Sequence, residues 1–211
     1  MSAGWVCPVV SWHGYQPKVS DGYSAVKTAA HREHHGVDVM FRRNGDPLEA
    51  AYPPGTPNGS KHYMMPNGVV VVAAQDGLVW SCKSSPGGLS IVLDHGKLWA
   101  GATYYQHMSK VFVPFTTSGR GGVRVKRGQA IGIVGGSPLD GEKLMHLHFE
   151  MWQNGANGVA GGADAHVDPE SHGFSSWPVL SSAVTNASRL LLVAGLLLMG
   201  GVVLPRLLQV A

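Results

Sequence analysis

The sequence predicts a mostly β protein: an antiparallel sheet of short strands joined by tight turns, followed by one apolar helix near the C-terminal end. Three observations carry this prediction. Glycine makes up 29 of the 211 residues, about twice its ordinary share. The middle of the chain holds short Val- and Leu-rich runs of strand length with turn residues between them, which is hairpin spacing. Beyond Arg189 comes an uncharged stretch, LLLVAGLLLMGGVVL, over 190–204. A helix so apolar on every side has to be buried.

In chain order, residues 1–30 are mixed, with Trp5, Trp12 and Tyr15 and no clear period; they are read as the N-terminal segment of the main domain, whose body is expected over 31–155. Residues 41–68 are rich in Pro, Gly and Asn and read as a long surface loop, with 41–64 as its main part. Apolar runs follow at 69–73, 78–82, 89–93, 98–105, 130–134 and 146–152. Gln75-Asp76-Gly77 and Ser85-Pro86-Gly87-Gly88 are turn sequences, so antiparallel pairing is the economical arrangement. Residues 156–188, rich in Gly, Ala and Ser, read as a linker to a hydrophobic helix over 189–208. As a helix, the uncharged stretch spans about 22 Å, against about 30 Å for a hydrocarbon core. Extension to Val210, with Arg206 snorkelling, approaches a full span. The segment is either a membrane anchor or a helix buried in a larger assembly. There is no internal repeat.

Composition narrows the chemistry. A formal net charge of +3 with only 14% charged residues leaves no strongly basic footprint, so no nucleic acid is expected as a partner. A hydrophobic content of 44% argues for a packed chain. Two cysteines exclude a Cys-rich zinc module, whereas eleven histidines point to imidazole chemistry. Cys7 and Cys82 either form one disulfide or remain two buried thiols. Residues 1–14 have neither a basic n-region nor a continuous apolar h-region, so export through an N-terminal signal is not expected.

Two clusters carry the chemical signal. In His146-Leu147-His148-Phe149-Glu150, a strand puts both histidines on one face and Leu147 and Phe149 on the other. In His34-His35-Gly36-Val37-Asp38, an imidazole and a carboxylate lie four residues apart, and Gly36 permits a tight path between them. His34, Asp38 and one histidine of the His146/His148 pair would supply three protein ligands of a hydrolytic zinc site. The spacing alone leaves the register among His31, His34 and His35 open, and a polar loop of solvated histidines is the plainer alternative.

These clusters, together with Asp76-Gly77, Tyr105-Gln106-His107-Met108 and Val125-Lys126-Arg127-Gly128-Gln129-Ala130-Ile131-Gly132, occur in an order and spacing that resemble the M23 family of LytM/lysostaphin-type zinc endopeptidases across 34–152. The resemblance implies an antiparallel β-sheet metallopeptidase domain with Zn²⁺ as cofactor. His34, Asp38 and His148 are its implied ligands, and His107 and His146 are implied to be catalytic. His146 would serve as general base, and His107 would bind the developing oxyanion or help hold the attacking water. The register falls on His34, because the family glycine lies two residues after the first ligand. His31 and His35 then become bystanders and His95 a strand support, while His13, His62, His166 and His172 are expected on the surface. Two departures stand out: loop 41–64 is longer than the family's usual link, and Leu144-Met145 occupies the place where the family often has Gly-Pro.

The expected function is therefore hydrolysis of peptide cross-links or stem peptides of bacterial peptidoglycan. A catalytically silent wall-binding or activating protein, or a structural component of a virion or envelope assembly, is the alternative. The lack of an export signal together with the apolar segment favours a phage virion-associated lysin, seated on a membrane or tail assembly through 189–208. A bacterial envelope enzyme anchored at its C-terminus is the other location.

Overall fold

The computed structural model describes residues 4–25, 33–41, 65–66, 68–85, 87–96, 101–117, 122–135, 145–153, 155–156 and 165–181. Among them the Val-rich runs pair as antiparallel strands, in ten segments: β1 (Lys18–Asp21), β2 (Val37–Met40), β3 (Val70–Val72), β4 (Gly77–Ser85), β5 (Gly88–Asp94), β6 (Ala102–Val111), β7 (Arg124–Val125), β8 (Ala130–Val134), β9 (Leu147–Trp152) and β10 (His166–Val167). The sheet runs β1-β2-β9-β6-β5-β4-β7; β10 continues along the β2 edge of β9, and β8 joins the far half of β6 to β3. The β4–β5 hairpin closes at Ser85 opposite Gly88, where Gly88 has a φ of 99°, a region that favours glycine.

Period-two alternation divides the sheet into an apolar and a chemical face. Leu147, Phe149 and Met151 of β9 pack into the main core with Val37, Val39, Ile91, Leu93 and Tyr105, each such burial being worth about 1.5–3 kcal/mol. The residues between them, His148 and Glu150, are buried on the other side of β9, and Trp152 joins Val92, Tyr104 and Trp80 in a smaller cluster. Register makes rows on that face: Asp38 lies opposite His148, which lies opposite Gln106. Glu150 lies opposite Tyr104, which lies opposite Val92.

All six expected runs contain strand, and the mostly antiparallel β class holds. Several boundaries differ. Strands β3 and β4 are consecutive but do not pair; β3 pairs β8 and β4 pairs β5 and β7. The expected surface loop 41–68 is anchored at both ends in the core by buried Phe41 and Met65, while 42–64 lies outside the described residues. The linker reading of 156–188 needs correction over 165–181. There β10 pairs with β9, two short 3₁₀ helices follow, and Phe174 and Trp177 are buried. Trp177 stacks on Trp5 with ring centroids 5.0 Å apart. These aromatic side chains provide the apolar area that the surrounding Gly and Ser lack.

Cys7 and Cys82 are separate buried thiols. Burial pushes the first up to about 12 and the second to about 11. The helix expected over 189–208 lies outside the described residues; among those described, no helix is long and apolar enough to cross a membrane.

Candidate metal centre

Strand β2 enters the sheet beside β9 with Val37 opposite Phe149. Gly36 is required for this approach, because a Cβ there would collide with the backbone carbonyl of Phe149. The chain just before it is pinned by reciprocal backbone hydrogen bonds between His34 and Ser24. His34 and Asp38 are thereby folded over the His148 end of β9.

Three atoms converge there. Asp38 Oδ1 lies 3.2 Å from His34 Nε2 and 3.0 Å from His148 Nδ1, and the two imidazole nitrogens are 3.0 Å apart. Ligand atoms around a tetrahedral zinc at bond lengths of about 2.0–2.1 Å stand about 3.3 Å from one another, so the triangle has the right size. The outward-facing nitrogens are already committed. His34 Nδ1–H donates to the Gly22 carbonyl at 2.7 Å, and His148 Nε2–H donates to Glu150 Oε1 at 2.8 Å. In their neutral form, two rings so tethered would turn lone pairs toward each other and toward a carboxylate oxygen. A cation satisfies all three, which makes this donor set fit zinc.

The electrostatics point the same way. Burial would raise the Asp38 pKa, but hydrogen bonds from His146, His148 and His34 override it and hold the carboxyl far below its usual range. Burial would lower His148, yet Asp38 and Glu150 on its two sides carry it up to about 9. His34 is likewise raised against its own burial, by Asp38 and by the Gly22 carbonyl. Positive charge at this point is favoured over neutrality.

His146 and His107 stand beside the triangle. His146 Nε2 is 3.4 Å from Asp38 Oδ1, and its ring meets that of His107 edge-on with centroids 4.6 Å apart. His107 sits in β6 at φ 65°, a costly backbone for a residue with a Cβ and one that concentrates at functional sites. Its Nδ1–H donates to the Gly87 carbonyl at 2.6 Å. Burial and then the charge of His146 lower its pKa to about 4.

All five residues singled out from the sequence therefore meet in one place: His34, Asp38, His107, His146 and His148. His95 is buried elsewhere, between the Asp76 carbonyl and Thr103, and His35 pairs with Glu33. His166 corrects its surface expectation. Its side chain is 9% exposed, with Nε2 3.1 Å from Glu150 Oε2. Glu150 and His166 are the neighbours of the centre that motif spacing did not assign. The β9 period alone places Glu150 on the His148 face, but His166 reaches it only through the β10 register. A cleft of about 470 Å³, lined by Trp80, Lys83, Tyr104, Gln106 and Trp152 among others, runs alongside.

This antiparallel sheet, carrying a His/Asp/His cluster on one face, has the lysostaphin type of fold. Residues 57–159, just under half of the chain, match the family model of Peptidase family M23. The matched stretch contains His107, His146 and His148 and begins after His34 and Asp38, which the fold returns to the same point. Lysostaphin in solution is similar in structure, with 20% identity and a TM-score of 0.54, covering 86% of this chain and 61% of lysostaphin. A chain of the SpoIIQ–SpoIIIAH pore-forming complex has 18% identity and a TM-score of 0.53, covering 87% of this chain and 97% of its own. A second SpoIIIAH–SpoIIQ complex gives 19% identity and a TM-score of 0.50, covering 80% and 99%. At such identities the likeness is one of fold. No curated protein matches the sequence.

Proposed function

We propose that this chain is a zinc-dependent endopeptidase acting on the peptide portion of bacterial peptidoglycan, with His34, Asp38 and His148 holding the ion. The observation that carries the reading is the convergence of two outward-tethered imidazoles and one carboxylate oxygen within 3.0–3.2 Å, with two further histidines beside them. When bound, zinc supplies Lewis acidity toward a carbonyl and lowers the pKa of water. His146 is the general base: its imidazole takes a proton from the attacking water and returns it to the leaving amine. Because His107 Nδ1–H is committed to the Gly87 carbonyl, its neutral ring offers Nε2 as an acceptor. That supports holding and orienting the water rather than donating to an oxyanion. The aromatic cleft beside the centre is the natural bed for an extended peptide.

Digestion of purified sacculi by the full chain, alongside His148→Ala, tests this by mass spectrometry of released peptides. Stem or cross-link fragments from the wild type only are expected, and they name the bond. Intact sacculi from zinc-loaded protein would overturn the catalytic reading in favour of a wall-binding or assembly role. Delivery by a phage particle belongs to the same proposal, motivated by the apolar stretch 190–204. Mass spectrometry of purified particles that finds no such chain would remove it.

A further inference from the structure

Glu150 takes no part in the reaction just described, yet it is 8% exposed and accepts from three side chains. Its Oε1 takes His148 Nε2–H at 2.8 Å. Its Oε2 takes Trp152 Nε1–H at 2.6 Å and lies 3.1 Å from His166 Nε2. The pairing of β10 with β9 sets His166 opposite Trp152. The other side of the His166 ring stacks on His35, with centroids 4.2 Å apart and planes 23° from parallel.

We propose that Glu150 and His166 are positioning residues for the metal centre, forming a chain His166–Glu150–His148 that sets the plane and tautomer of the His148 ring. The proposal rests on the reading of His34, Asp38 and His148 as ligands. An imidazole attached by two rotatable bonds can turn over or move its proton, and either change would take the Nδ1 lone pair away from Asp38 and His34. A carboxylate that accepts from Nε2–H prevents both and makes the ring a better donor. One oxygen of Glu150 serves the ligand while the other is gripped by two donors, so the carboxylate plane is itself held. His166 lies beyond residue 159, where the family match ends; the centre is thus completed by a segment outside the matched stretch.

The test is the zinc dissociation constant of the full chain, measured by competition with a chromophoric chelator. His148→Ala sets the baseline, and thermal melts of the zinc-free proteins report folding. Glu150→Ala is expected to weaken zinc by about 10–100-fold. His166→Ala should weaken it less, while His166→Gln, whose amide can still donate to the same oxygen, should recover most of that loss. Adding His166→Ala to Glu150→Ala should change nothing further, because His166 acts only through Glu150. Wild-type affinity in Glu150→Ala and His166→Ala, or losses that add in the double variant, would overturn the proposal. Should Glu150→Ala fail to fold, Glu150→Gln keeps the volume and an acceptor, and it should show an intermediate affinity. A wild type that binds zinc no better than His148→Ala would instead overturn the ligand reading itself.

Discussion

His148 and His95 are both buried histidines on the same sheet, and they differ in what faces each ring nitrogen. His95 lies between neutral oxygens, the Asp76 carbonyl at 2.8 Å and Thr103 Oγ1 at 2.8 Å. The latter continues to Tyr105 Oη at 3.1 Å, which accepts from the Ala74 amide. Burial dominates there, and the pKa of His95 is lowered. His148 lies between two carboxylates, and its pKa is carried up to about 9. Burial alone therefore does not distinguish a structural histidine from a ligand. A histidine whose two nitrogens are both satisfied by neutral groups closes a network, whereas one held at its outer nitrogen by a carboxylate, with another ligand atom before its inner nitrogen, is set up to share a cation.

The largest expected effect comes from removing the second of these arrangements. His148→Ala should abolish stoichiometric zinc, measured by elemental analysis, and reduce sacculus hydrolysis by more than the roughly 10²–10⁴-fold assigned to a single proton-transfer group. A chelator should reproduce that loss in the wild type, with zinc restoring activity. Next, His146→Ala should lower kcat by about 10²–10⁴-fold while zinc content stays at the wild-type value. Loss of the metal as well would place His146 among the ligands.

Gly36→Ala addresses the scaffold beneath the comparison. Its Cβ would meet the Phe149 carbonyl, a backbone atom that cannot turn aside as a side-chain tip can. A destabilisation of about 1–3 kcal/mol is expected in urea unfolding, the usual range for overpacking. Unchanged stability would mean that β2 can shift on β9 without cost.

The smallest effect is confined to pH. His95 has a folded-state pKa below its unfolded value near 6.5. As pH falls through about 6.5, the unfolded chain takes up a proton that the folded chain refuses, so stability is lost on acidification and is unaffected above that range. One such group contributes a slope of up to about 1.4 kcal/mol per pH unit. His95→Gln, compared with wild type by urea unfolding between pH 7 and pH 5, should remove that share of the acid sensitivity. Identical pH profiles would show that His95 accepts its proton without penalty.

Much of this was legible in the linear chain. The Val-rich runs showed as strands because they are short, apolar and bounded by turn residues, and His146 and His148 stood out because side chains two apart on a strand share a face. Gly36 showed as a residue permitting a tight path between His34 and Asp38, while its role in letting β2 lie against Phe149 emerged only from the fold. Strand β1, with the half-exposed sequence KVSD, has too weak an alternation to announce itself, and β2 is only four residues long. The packing of 165–181 was hidden because Phe174 and Trp177 stand among small and polar residues. His166 carried no motif at all: its partner is set by the β10–β9 register, a relation of position in space rather than of spacing along the chain.

The sequence by itself determined the donor types, the strand period that sorts them onto a face, and the glycine without which β2 could not lie against β9. Tertiary structure decided which histidines meet. His34 and His148 are 114 residues apart, and only the β2–β9 register brings them within 3.0 Å. The reason is physical: alternation along a strand is a local steric property carried by each residue, whereas a ligand set and its hydrogen-bonded support are made by strand pairings that close long loops, and those depend on the packing of the whole sheet.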